Sequence, residues 1–216
     1  MSQSREIILK KVKDALADRS KNSGSVPRRN KEVFSKTGEK DLSVLFAENF
    51  IKNMGEFVFT ESDDEFLSSF KALQFKKNLR HTYVFEPELA RLFESRGIDI
   101  HTEEHGFMES VEASVTTCEA LVARTGSIFL SSANKSGRRL SVYPPAHIVV
   151  ARTSQIVYDI SDGISYLKNK YKGGLPSMLS LTTGPSRTAD IEKTLVLGAH
   201  GPKELIVFLI DDTATY

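Results

Sequence analysis

Residues able to hold and polarise a small anion gather near the end of the chain. Thr182-Thr183-Gly184-Pro185-Ser186-Arg187-Thr188-Ala189-Asp190 comes after the apolar run Met178–Thr182, which reads as a buried strand. In open α/β sheets, ligands bind beyond the carboxyl ends of strands. There Gly184 lets the backbone approach a ligand, and N–H groups at a following helix start can hold an anion. Arg187 adds a planar fork suited to a carboxylate or phosphate. Thr183, Ser186 and Thr188 add hydroxyls. The plain alternative is a turn with a Ser/Thr/Asp helix cap and a surface arginine.

A second such turn comes after the run Leu195–Leu197: Gly198-Ala199-His200-Gly201-Pro202. If both turns lie at one sheet edge, His200 faces Arg187 and can exchange a proton near neutral pH. The alternative is a hydrogen-bonded turn histidine. A secondary candidate is Thr116–Ser127, with Glu119, Arg124 and Thr125. Its Arg-Thr-Gly-Ser run precedes a strand, which weakens direct binding. Arg124 is expected to pair with a carboxylate such as Glu119.

Other matches fail on context. His101-Thr102-Glu103-Glu104-His105 fits H-x-x-E-H, but that zinc chemistry needs both histidines on one helix face, and here the run comes after an expected strand and precedes Gly106. Ser132-Ala133-Asn134-Lys135 and Ser165-Tyr166-Leu167-Lys168 fit S-x-x-K without its companion motifs. There is no G-x-G-x-x-G and no G-x-x-x-x-G-K-[ST], so nicotinamide cofactors and P-loop chemistry find no support. No metal-ligand set stands out.

A chain of 216 residues is one large domain or two small ones. Apolar residues make up 40% and charged residues 26%, ordinary for a globular protein. No apolar run is long enough to span a bilayer, and the start lacks the pattern of a signal peptide, so the expected compartment is the cytoplasm. A single cysteine, Cys118, forms no internal disulfide and cannot hold an iron–sulfur cluster. The net charge of +1 hides a basic arm: residues 1–40 carry 11 Lys/Arg against 5 Asp/Glu. With one aromatic, Phe34, the arm reads as a solvated helix and linker rather than a nucleic-acid binder.

The elements that must position these residues are read from caps and periodicity. Ser4 opens a helix bearing Ile8, Val12, Ala15 and Leu16, and a polar connector runs from Ser20 to Lys40. Asp41 opens a helix that Gly55 stops. Then come strand Phe57–Thr60, a helix capped by Asp63 or Asp64, strand Thr82–Phe85, a helix with Pro87 in its first turn, and strand Ile98–Ile100. The second half offers strands Ser127–Ser131, His147–Ala151, Gln155–Tyr158, Met178–Thr182, Leu195–Leu197 and Leu205–Ile210, with a helix over Asp159–Tyr171. The alternation implies an α/β fold with a parallel-rich sheet between helices.

Gly184-Pro185-Ser186-Arg187-Thr188-Ala189-Asp190-Ile191-Glu192, continued by Leu195-Val196-Leu197-Gly198-Ala199-His200-Gly201-Pro202-Lys203-Glu204-Leu205, closely resembles the C-terminal pattern of the LutC/YkgG lactate-utilisation (LUD domain) proteins. Thr125-Gly126-Ser127 and Pro144-Pro145-Ala146-His147 resemble the family's middle section, although Arg124 stands where members often carry an acidic residue. The resemblance covers roughly residues 110–211. It implies a NagB/RpiA/CoA-transferase-like fold over residues 41–216, with residues 1–40 as an N-terminal helical extension and basic linker. It further implies a role in oxidising L-lactate to pyruvate, beside two partner proteins, at least one of them an iron–sulfur subunit. The chain itself would then bind no cofactor, and would hold a small carboxylate or dock the iron–sulfur subunit. An enzyme acting alone on a phosphorylated or acyl-carrying metabolite is the competing expectation.

Overall fold

The computed structural model describes residues 41–189, 195–198 and 200–212. They belong to the second of two units, Lys40–Tyr216. The helix expected from Ser4 and the connector to Lys40 lie outside the described residues.

Helix α1 (Leu42–Lys52) starts where the Asp41 carboxylate accepts the Ser43 N–H at 2.8 Å. It ends without a glycine in the left-handed position. Met54 takes φ 68°, and Gly55 comes next, donating its N–H to the Phe50 carbonyl at 3.0 Å. This is the Schellman pattern, which satisfies helix-end carbonyls. Strand β1 (Glu56–Thr60) leads to α2 (Asp63–Lys77), capped by Ser62 rather than by an aspartate, with three acids in its first turn against the helix dipole. Strand β2 (Thr82–Tyr83) and α3 (Pro87–Glu94) come next, with Pro87 in the first turn as expected. Ile98–Ile100 forms no strand; a lone parallel bridge joins His101 to Tyr83 instead. After α4 (Phe107–Ser110) comes β3 (Ala113–Thr117), which sequence reading missed.

The remaining elements are β4 (Ala120–Val122), β5 (Ser127–Ser131), β6 (Ala146–Arg152), β7 (Ile156–Val157), α5 (Ile160–Lys170), β8 (Leu179–Thr182), β9 (Arg187–Ala189), β10 (Leu195–Leu197) and β11 (Glu204–Ile210). The strand expected over Gln155–Tyr158 shrinks to β7, because Thr153–Gln155 is a 3-10 turn.

Five parallel strands form the main sheet in the order β1-β11-β6-β3-β2. Along β6 and β11 successive apolar residues serve opposite faces. Ile148, Val150, Ile206 and Phe208 meet Phe66, Phe70 and Phe93 of α2 and α3. Val149, Ala151, Val207 and Leu209 meet Phe46 and Phe50 of α1 together with Leu121, Ile128 and Leu130. Burial on both faces is why these strands read as unbroken apolar runs. The fold is therefore α/β with a parallel-rich sheet flanked by helices.

One face departs from the simple sandwich. A four-stranded mixed sheet, β7-β4-β5-β8, shares it with α1, and α5 covers that sheet through Leu167 against Ala120, Val122 and Phe129. Strands β9 and β10 form a separate antiparallel hairpin. Among the described residues, no helix is long and apolar enough to cross a membrane.

Candidate functional site

The two glycine-bearing turns do converge. Ser186 donates its N–H to the Pro202 carbonyl at 2.9 Å, and its own carbonyl accepts the Gly198 N–H at 3.0 Å. Gly201 packs so closely that an added Cβ would lie 3.1 Å from the Ser186 Cβ. The surroundings differ from those expected. Strand β8 is an edge strand with Leu179 and Leu181 exposed, not a buried strand. Among the described residues no helix starts after it: Arg187–Ala189 pairs instead with Leu195–Leu197, with Thr188 opposite Val196. The turn at Gly198–Pro202 precedes β11, so it lies at the amino end of the main sheet. Asp190–Glu192 and Ala199 lie outside the described residues.

Several motif residues hold the carboxyl end of α1. Arg187 donates to the Asn53 carbonyl at 3.2 Å and touches the Met54 sulfur at 3.5 Å. A cation there complements the negative end of the helix. Gly184, at φ 71°, lies against the same carbonyl, and a Cβ there would sit 2.2 Å from it. Gly126, at φ 61°, is as tight, because a Cβ would sit 2.4 Å from the Phe50 nitrogen. Asn49 donates its side-chain amide to the Ala123 and Arg124 carbonyls, and Asn53 donates its amide to the Thr125 carbonyl. The Thr125 and Thr183 hydroxyls both bond Ser127. His200 is exposed.

Arg124 does not pair with Glu119. Its guanidinium binds Asp159 at 2.6 Å, the residue that also caps α5. Glu119 sits just past the carboxyl end of β3, fully buried, with three donors from elsewhere. Lys170 reaches its Oε2 at 2.8 Å; the Tyr171 hydroxyl, at 2.7 Å, and the Ser131 hydroxyl, at 2.5 Å, reach its Oε1. Burial pushes the Glu119 carboxyl up, but the hydrogen bonds from Lys170, Ser131 and Tyr171 outweigh it and hold the carboxyl below the usual range. Burial pulls the Lys170 ammonium down, and Glu119 outweighs that too, holding it above its usual value. Burial and the Glu119 charge push the Tyr171 hydroxyl up.

Lys170 nevertheless remains 43% exposed, so its charge is fixed from below and open from above. It also lies 6.0 Å from the Tyr166 ring centre and 5.5 Å from that of Tyr171. Beside this group, Glu86 accepts the Thr117 N–H at 2.8 Å and its hydroxyl at 2.5 Å, while the Asn134 amide donates to the same hydroxyl. Burial drives the Cys118 thiol far up, and the charges of Glu119 and Glu86 add to it, so Cys118 is an unreactive protonated thiol at neutral pH. Sequence reading missed Glu86, Ser131, Lys170 and Tyr171. The one local signal was a Lys-Tyr pair closing an expected helix.

A model of the LUD domain matches residues 44–210. Lactate utilization protein C 1 of Bacillus mycoides is 29% identical over 133 residues, which cover 61% of this chain and 57% of that protein. Lactate utilization protein C of Deinococcus radiodurans is 34% identical over 119 residues, 53% of this chain and 55% of that one. The chain spans about half the length of the curated relatives it matches. A crystal structure of a DUF162 family protein from Deinococcus radiodurans superposes with a TM-score of 0.59 at 22% identity, covering 78% of this chain and 96% of that one; it speaks for the fold. With the model match running from α1 to the last strand, the chain belongs to the LUD domain family.

Proposed function

We propose that this chain is a cluster-free subunit of a cytoplasmic lactate-utilisation system, and that it binds a small carboxylate at the Glu119–Lys170 group. The family match and the relatives named lactate utilization protein C support the lactate-utilisation part of this reading. One observation carries the binding reading: a half-exposed ammonium is held charged by a buried carboxylate beyond the carboxyl end of a parallel strand. That is where open α/β sheets place ligands. One cysteine leaves the electron carriers to iron–sulfur partner subunits.

The test is a thermal-shift and calorimetry panel of L-lactate, pyruvate, inorganic phosphate, a sugar phosphate and coenzyme A. A ligand at a hundred times its dissociation constant adds about 2.7 kcal/mol of stability, which such an assay detects. We expect a carboxylate to bind the native chain and not Lys170→Gln. Carboxylate binding that survives Lys170→Gln overturns the site. For the assembly, affinity purification under anaerobic conditions with lactate should recover a cysteine-rich partner; recovering this chain alone counts against it.

A second reading rests on the backbone bonds joining the turns at Ser186 and Pro202, which tie the start of β9 at Arg187 to the turn that carries His200. In that reading the chain is a stand-alone enzyme that holds a phosphorylated or acyl-carrying metabolite with Thr183, Ser186, Arg187 and Thr188, and His200 moves the proton. Phosphate or coenzyme A binding that Arg187→Ala abolishes and Lys170→Gln leaves intact favours it.

A further inference from the structure

His101 opens the His-Thr-Glu-Glu-His run, yet its partner is not His105. Its Nε2 lies 3.2 Å from the Nδ1 of His81, at the outer edge of the main sheet. Hydrogen bonds hold the backbone of both residues. His101 donates its N–H to the Thr82 carbonyl at 2.8 Å, and its own carbonyl accepts the Val84 N–H at 2.9 Å. The Tyr83 ring stacks on the His101 imidazole with centres 4.8 Å apart. On the other side, a Glu112 carboxylate oxygen accepts the N–H groups of Arg80 and His81 at 2.6 and 2.9 Å, which pins the residue that carries the second ring.

We propose that His81 and His101 form a two-imidazole site for a first-row transition-metal ion. Imidazole nitrogens bind Zn²⁺ at about 2.0–2.1 Å, so two of them at a tetrahedral angle stand about 3.3 Å apart. The observed 3.2 Å meets that spacing without moving the backbone. The ring centres, 5.3 Å apart with planes 24° from parallel, leave both nitrogens facing one gap. Imidazole donors select Zn²⁺, Ni²⁺ or Cu²⁺ over Mg²⁺ or Ca²⁺. Among the described residues no third such side chain joins the pair. Water or an oxygen-donor ligand would complete the shell, the pattern of an open site rather than a closed structural one.

Each neutral imidazole carries one N–H and one lone pair. In the ion-free pair, one facing nitrogen holds a proton that the other accepts. When an ion enters, that proton moves to the far nitrogen of the same ring, and both facing lone pairs bind the metal. No net proton is released when both rings start neutral.

The experiment is calorimetric titration of the full chain, treated with chelator and dialysed, with ZnCl₂ or NiCl₂ at pH 7.5, and with MgCl₂ in a parallel arm. One zinc or nickel ion per chain is expected, with affinity at least tenfold weaker in His81→Asn and in His101→Asn. Affinity is expected to be unchanged in His105→Asn, whose ring is exposed on the next loop. Circular dichroism of each variant separates lost binding from lost folding. The proposal is overturned by no zinc or nickel binding to the native chain, by binding that survives both pair variants, or by magnesium binding as tightly as zinc. Carboxylate binding at Lys170 is measured without metal, so the two results fail separately.

Discussion

The Lys170 ammonium lies 2.8 Å from an oxygen of Glu119, a carboxylate that solvent does not reach. The asymmetry makes the two positions unequal. Removing the lysine strands a buried charge, whereas neutralising the glutamate leaves a cation that water can still solvate. Lys170→Met should therefore cost about 1–3 kcal/mol in urea unfolding, and combining it with Glu119→Gln should recover part of that loss. A double variant as unstable as the sum of the singles would show that the pair is not coupled.

The same pair sets a pH window. The folded Glu119 carboxyl lies below its ordinary 4.5, so its contribution is present above that value and is lost as pH falls through the folded pKa. Lys170 lies above its ordinary 10.5, so its contribution is complete below that value and is lost as pH rises through the folded pKa. Denaturant midpoints of the native chain should depend on pH more steeply than those of the double variant only outside the interval from about 4.5 to 10.5. Equal profiles for the two proteins at both extremes would reject the linkage.

Gly126 and Gly137 share a left-handed backbone but not a neighbourhood. At Gly137, φ is 69° and an added Cβ meets nothing within 4 Å, so Gly137→Ala should cost only backbone strain, about 1 kcal/mol. At Gly126, the Cβ would press on α1 at 2.4 Å, so Gly126→Ala should cost about 3 kcal/mol or more. Thermal unfolding of the two variants decides it, and equal losses would mean that α1 gives way freely.

Arg187→Ala tests how far the glycine-bearing C-terminal turn serves the fold. The guanidinium donates to one carbonyl, that of Asn53 at the C-cap of α1, while remaining exposed, so its loss should cost about 0.5–1 kcal/mol. A loss of several kcal/mol would point to a deeper structural part than the hydrogen bonds imply.

What sequence made legible was local. Asp41 and Asp159 announce their helices because each side chain accepts a first-turn N–H, and Pro87 marks a third for want of one. Strands β6 and β11 stand out because both faces are apolar. Strand β3 did not, because Ser114, Thr116 and Thr117 look polar until their hydroxyls find the Leu140 carbonyl, His147 and Glu86. The hairpin at Arg187–Ala189 resembled a helix start because Ser, Thr and Asp cap helices as readily as they fill turns. Glu119 was singled out, but its partners Lys170 and Tyr171 come from more than fifty residues away. No periodicity announces a contact of that kind.

His147 offers the sharpest pH experiment. It is buried in β6, its Nε2 shares a hydrogen bond with the Thr116 hydroxyl at 2.9 Å, and its Nδ1 has no partner among the described residues. Burial lowers its pKa from 6.5 to about 4. The unfolded chain therefore takes up a proton below pH 6.5 that the folded chain refuses, so stability is present above 6.5 and drains away as pH falls toward 4. Between pH 7 and pH 5 this residue alone should remove about 2 kcal/mol. His147→Gln keeps a polar partner for Thr116 and removes the titration. Urea unfolding at both pH values should show the native chain losing about 2 kcal/mol more than the variant, and matching slopes would mean that the imidazole is protonated inside the folded protein.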